Sequence, residues 1–253
     1  MRAPLAALAL VLGTSLPAEA LTLNRPFGSV SVDASYDDRI SGRSDPEVEL
    51  YPSGNTDWRG SLSVGGGTDM NFDDRWGLYV GARLRGFRYL QYSDFSGFLG
   101  TGTVELFGYD LPLGVDAFLS YGYSTDGSQG QSHTTALSFE KPLGNRLTAI
   151  LAGGQYWHQT SSTGLSNRGP FADGGLRLSL PSRTSLSALI SLMGRDYDYG
   201  REDRILSASL NLSQRLWEGT YLRASYRRDQ ASSNEPGRTF PGNSVMLGTS
   251  YYF

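Results

Sequence analysis

The chain has 253 residues, 32 of them glycine, no cysteine and a net charge of −3. The absence of cysteine excludes disulfides, thiolate metal sites and a cysteine nucleophile, and the near-neutral charge argues against a bulk nucleic-acid partner. Cationic charge is almost all arginine, Lys141 being the one lysine, which favours anionic groups through the planar guanidinium fork.

The N-terminus opens with Met1-Arg2, a short apolar run from Leu5 to Leu12, and the small-x-small triplet Ala18-Glu19-Ala20. This order predicts a secretory signal peptide over residues 1–20 and a mature chain over residues 21–253. The run is too short to cross about 30 Å of hydrocarbon as a helix.

From there, period-two alternation recurs and helical spacing does not, predicting an all-β chain of twelve strands. The first is Gly28–Asp37, with Val30, Val32, Ala34 and Tyr36 on one face. There follow Trp58–Met70, Trp76–Tyr89, Phe98–Gly108, Leu113–Ser124 and Ser132–Glu140. Arg146–Gln159 is the least regular, with apolar residues on both faces. Phe171–Leu180, Thr184–Arg195, Arg204–Leu216 and Thr220–Asp229 alternate cleanly, and the last strand runs from Ser244 to Phe253.

Connections alternate in length. Polar stretches such as Asp38–Asp57, Leu90–Gly97, Thr160–Pro170 and Gln230–Asn243 follow odd strands, and tight turns such as Asn71–Arg75, Lys141–Asn145, Pro181–Arg183 and Trp217–Gly219 follow even ones. Short turns at one end and long loops at the other fit a transmembrane up-and-down barrel, with turns and both termini in the periplasm and long loops outside. Trp58, Trp76, Tyr92, Tyr121, Tyr123, Trp157, Trp217 and Tyr251 lie near strand ends, where interfacial aromatic girdles form.

The polar face decides between a barrel in lipid and a soluble sandwich. In the first strand it carries Ser29, Ser31, Asp33 and Ser35; in the tenth, Ser207, Ser209, Asn211 and Ser213. Sandwich faces must meet in a core of larger side chains, whereas small polar residues suit a wet lumen. Strands in lipid must close, because an open edge leaves N–H and C=O groups unsatisfied.

The terminal Ser244-Val-Met-Leu-Gly-Thr-Ser-Tyr-Tyr-Phe253 resembles the C-terminal signature of bacterial outer-membrane β-barrel proteins. The resemblance extends over the whole mature chain and identifies no subfamily. It implies residence in the outer membrane among its lipids and lipopolysaccharide, and reading of the Phe253 segment by the barrel-assembly machinery.

With the greasy face toward lipid, parity places Asp33, Arg59, Asp69, Arg83, Arg85, Glu105, Asp116, Glu140, Asp173, Arg177, Arg195, Arg215, Arg223, Arg227 and Asp229 inward. Ionised groups at membrane depth require a protein or water-filled interior. Two readings of these charges stand open. One is a salt-bridge network bracing the wall, with Glu105 opposite Arg85. The other is a charged constriction in which Arg83, Arg85, Arg177, Arg195, Arg223 and Arg227 favour anions, similar to the arginine strips of narrow acidic-oligosaccharide porins.

The expected function is a narrow passive channel for small solutes, anions favoured. The alternatives are a barrel for export, surface assembly or adhesion, and an outer-membrane lipid-modifying hydrolase. The sequence offers no catalytic constellation, cofactor motif or metal-ligand cluster. Its two histidines, His133 and His158, are followed two residues on by Thr135 and Thr160, not by the serine that outer-membrane deacylases and lipases carry there, and His158 at a loop edge reads as polar surface.

Overall fold

The computed structural model describes residues 22–23, 26–38, 56–93, 96–126, 130–160, 166–236 and 240–253. The expected signal peptide and most of the Asp38–Asp57 loop lie outside them. A short β1 (Thr22–Leu23) precedes twelve long strands: β2 (Phe27–Asp37), β3 (Asp57–Asn71), β4 (Trp76–Tyr89), β5 (Gly97–Leu111), β6 (Val115–Thr125), β7 (Gly130–Pro142), β8 (Leu147–Thr160), β9 (Asn167–Leu180), β10 (Thr184–Tyr197), β11 (Glu202–Trp217), β12 (Thr220–Ser233) and β13 (Phe240–Tyr252).

Each long strand pairs antiparallel with the next, and β13 returns to β2. The closing register sets Leu247 opposite Ala34 and Tyr251 opposite Val30. At the seam the Gly28 N–H donates to the Phe253 carbonyl at 2.8 Å, and the Phe253 N–H donates back at 3.0 Å. The chain is a closed, twelve-stranded, up-and-down barrel with β1 appended to the end of β3, Thr22 opposite Asn71.

Strand alternation reappears as an inverted core. On β3, Trp58, Leu62 and Val64 are exposed outward, while Arg59, Ser61 and Ser63 are buried inward. On β11, Leu206 and Leu210 face out and Asp203, Ile205 and Ser207 are buried. The buried apolar set among the described residues is Tyr89, Phe107, Tyr156, Tyr197, Ile205 and Ala231, outnumbered by buried serines, aspartates and arginines. A water-soluble fold places these classes the other way round. An apolar exterior with every strand edge paired is what hydrocarbon requires.

Several strands outrun their sequence bounds. β9 begins at Asn167 rather than Phe171, so the expected Thr160–Pro170 loop shrinks; β12 runs on to Ser233 and β13 starts at Phe240. Alternation fades there, yet the hydrogen-bonded ladder continues: Asn167 still pairs with His158 and Tyr197. β6, by contrast, starts at Val115, because Leu113 and Gly114 adopt φ of 73° and 64° in a tight turn.

Candidate functional site: the barrel lumen

Small side chains line the interior. On β5 to β8 the inward positions include Thr101, Thr103, Ser120, Gly122, Thr134, Ala136, Ser138, Ala152 and Gly154, all half-buried. Eight strands already enclose a space that side chains just fill, and barrel diameter grows with strand number. Small residues thus line much of β5–β8, while Phe107, Phe118, Ile150 and Tyr156 on the same strands also turn inward.

The opposite wall is packed with charged groups. Arg223 on β12 donates from Nη2 to Asp33 Oδ1 on β2 at 3.1 Å, spanning β13. Arg85 donates to Ser61 Oγ at 3.0 Å, and Ser61 lies 3.5 Å from the other oxygen of Asp33. Above them Arg59 reaches Ser35 Oγ at 3.2 Å and Tyr89 OH at 3.4 Å, with Asp37 at 3.8 Å. Arg227 holds Asp229 at 2.8 Å and Ser207 at 3.2 Å.

Across the lumen, Arg177 on β9 makes a two-pronged pair with Glu140 on β7, at 2.7 and 3.0 Å. Arg195 is buried, its guanidinium 5.9 Å from the Tyr156 ring centre. Asp116 accepts the Asp110 N–H at 2.9 Å. Among the described residues Arg83, Asp69, Glu105 and Asp173 make no ion pair or side-chain hydrogen bond, and Arg83 is exposed.

The structure thus splits the expected cluster. Arg83 and Arg85 on β4 do lie about half a circumference from Arg177 and Arg195 on β9 and β10. The expected Arg85–Glu105 match is corrected: the β4–β5 ladder begins at Phe87 opposite Gly97, so Arg85 meets Leu99, and Glu105 meets Tyr79 near the short-turn end.

The histidines find partners that spacing along one strand does not reveal. Ser132 Oγ lies 2.8 Å from His158 Nδ1 across β7 and β8, and Tyr121 OH lies 2.6 Å from His133 Nδ1 across β6 and β7. His158 is only 2 % exposed, which corrects its reading as loop-edge surface. Further round the loop end lies a polar knot that sequence reasoning missed. Arg201, in the β10–β11 turn, donates to Asp203 at 2.8 Å and lies 4.5 Å from the Tyr197 ring centre. Burial opposes its charge, but the bonds to Asp203 and Tyr199 outweigh that and raise its pKa above the ordinary guanidinium value.

No protein-family model matches the chain, and no curated protein matches its sequence. Solved structures share its fold. An outer-membrane channel from Pseudomonas putida F1 aligns with TM-score 0.61 at 14% identity, covering 94% of this chain and 99% of that one. The KdgM porin in complex with disordered oligogalacturonate aligns at 0.52, with 9% identity over 89% and 99%. A bacterial polysaccharide outer-membrane secretin aligns at 0.51, with 10% identity over 89% and 98%. The fold is that of outer-membrane β-barrel proteins, closed at twelve strands.

Proposed function

We propose that this protein is a passive channel for small polar solutes in the bacterial outer membrane, with its termini periplasmic and its long loops outside. The observation that carries this reading is the set of small inward side chains, Thr103, Ser120, Gly122, Thr134 and Ala136, on β5–β7 of a twelve-stranded barrel, a diameter at which such residues leave space between the walls. Two of the fold neighbours are described as a channel and a porin, in keeping with it.

The ion pairs change what the lumen offers a solute. Arg177, Arg223 and Arg227 are engaged by Glu140, Asp33 and Asp229. Outside those pairs Arg83, Arg85 and Arg215 stand against Asp69, Glu105, Asp116 and Asp173. The two signs nearly balance, so the arginines mostly brace the wall rather than select anions. Catalysis has little support. The Ser132–His158 pair is buried, and no carboxylate among the described residues binds the imidazole.

Planar-bilayer recording of the purified protein tests the reading. Discrete conductance steps with little selectivity between cations and anions are expected in a salt gradient. Arg83→Glu should shift the reversal potential toward cations, and Arg227→Glu should destabilise the barrel more than it alters selectivity. The absence of any resolvable current would favour an export or surface-assembly role. We further propose that the Phe253 segment is read by the barrel-assembly machinery: deleting Phe253 should lower insertion in cells more than refolding into detergent, and an equal loss in both would oppose that.

A further inference from the structure

We propose that the lumen takes short zwitterionic peptides, with the terminal carboxylate on Arg83 and the terminal ammonium on Asp173. The inference deepens the channel reading and rests on it. Arg83 stands at the middle of the 14-residue β4, and Asp173 at the middle of the 14-residue β9. Both belong to the inward set. Arg83 lies opposite Gly65 and Thr101 in its two ladders, and Asp173 lies opposite Ala152 and Ser191 in its own. Four strands, β5 to β8, separate β4 from β9 on one side of the ring and six on the other. The two groups therefore stand on opposing walls.

Neither charge is satisfied by its own wall. Arg83 is exposed and Asp173 half-buried, and neither has an ion pair or side-chain hydrogen bond among the described residues. On its face Arg83 is bordered by Gly65, Gly81 and Thr101, which cannot neutralise it, and by Arg85, whose like charge repels it. Asp173 is bordered by Ala152, Ser191, Phe171 and Gly175, all uncharged. Asp69 and Glu105 also lack partners, but both flank Tyr79, on the same side of the ring as Arg83 and roughly 13 Å down the strand from it. Other lumen charges are taken up locally: Glu140 holds Arg177, Asp33 holds Arg223 and Asp229 holds Arg227. Two lone charges of opposite sign, facing each other across the lumen, match a solute that carries both signs at its ends.

The span suits a peptide better than a single amino acid. Strands about 4.8 Å apart and tilted by about 40° give a twelve-stranded barrel a backbone diameter of roughly 24 Å. The Arg83 and Asp173 side chains reach in from either wall, and an extended tripeptide, about 10 Å long, bridges the gap between them. Its carboxylate meets the guanidinium through two parallel hydrogen bonds. Its ammonium, with three donors, meets the Asp173 carboxylate and the hydroxyl of Ser191 on the neighbouring strand. A blocked peptide forfeits one of these charge-assisted contacts, and a sugar forfeits both. Selection thus acts on charge separation within a solute of no net charge, which agrees with the near balance of the two signs in the lumen.

The test is uptake into proteoliposomes of labelled triglycine, N-acetyl-triglycine (which lacks the ammonium), triglycinamide (which lacks the carboxylate) and a hexose of similar mass. Triglycine uptake should saturate at a concentration about tenfold below that of either blocked peptide, the size of one charge-assisted contact. Arg83→Gln should erase the advantage over triglycinamide and keep the advantage over N-acetyl-triglycine. Asp173→Asn should do the reverse. Unchanged heat-modifiable migration checks that both variants fold, and a structural role for either residue would not produce this crossed pattern. Equal half-saturation for the three peptides with hexose uptake intact would overturn the proposal and leave the channel reading standing. Loss of the triglycine advantage to the same extent against both analogues in each variant would also overturn it. No uptake of any solute would remove both.

Discussion

Asp33 and Arg223 stand 190 residues apart in the chain and meet at 3.1 Å inside the barrel, with β13 passing between their strands. The contact exists only when β13 has closed onto β2, so it belongs to the finished barrel and to no hairpin. Asp33 is 9 % exposed. Arg223→Met leaves its carboxylate buried with Ser61 as a distant partner, and should cost about 2 kcal/mol. Adding Asp33→Asn should recover part of that loss. Urea unfolding in lipid vesicles measures both; a double variant no more stable than Arg223→Met alone would mean that the pair is not coupled.

The barrel itself was legible because a membrane strand writes its two environments into alternate residues. Val30, Val32 and Ala34 against Ser31, Asp33 and Ser35 already state which side is oily. The ion pairs were less legible. Glu140 and Arg177 sit two strands apart and join across β8, and Asp33 and Arg223 join across β13; such diagonals depend on stagger that no single hairpin encodes. The Arg85–Glu105 expectation failed on register: the ladder starts at Phe87–Gly97 and carries Glu105 down to Tyr79. The Ser132–His158 pair was hidden because its members lie on different strands. The Asn167–Pro170 stretch reads as a turn from composition, yet it is held in the sheet from both sides.

Neighbouring residues on one strand should differ sharply in their tolerance of charge. Ile190 on β10 is 61 % exposed toward lipid, and Ser191 faces inward opposite Asp173. Ile190→Arg should destabilise the barrel by about 2–4 kcal/mol, as arginine does near a bilayer midplane. Ser191→Arg gains Asp173 as a partner and should be near neutral. Equilibrium unfolding in vesicles should rank them in that order, and the reverse ranking would place the membrane on the wrong face.

The short turn after β3 carries a pH-dependent contact outside the spanning region. The Asp73 carboxylate accepts the N–H groups of Arg75 at 2.8 Å and Trp76 at 2.7 Å, and these bonds hold its pKa below the ordinary carboxylate value. A depressed folded-state pKa means that the stabilisation is complete above the unfolded-state pKa and disappears as pH falls through the folded one. Asp73→Asn should therefore be less stable than wild type at pH 7 and indistinguishable from it in strong acid. A stability gap that is the same at both pH values would show that the charge is not involved.

The central claim is that one stripe of each strand touches acyl chains while the other faces water inside a closed wall. Because the chain has no cysteine, single cysteines test this residue by residue, most directly at Thr103 and Val104 on β5. In vesicle-embedded protein, Thr103→Cys should react with a small membrane-impermeant thiol reagent. Val104→Cys should not react, and a fluorophore attached there before insertion should be quenched by nitroxide-labelled lipids. Equal aqueous labelling at both positions, or lipid quenching of a fluorophore at Thr103 but not at Val104, would contradict the account.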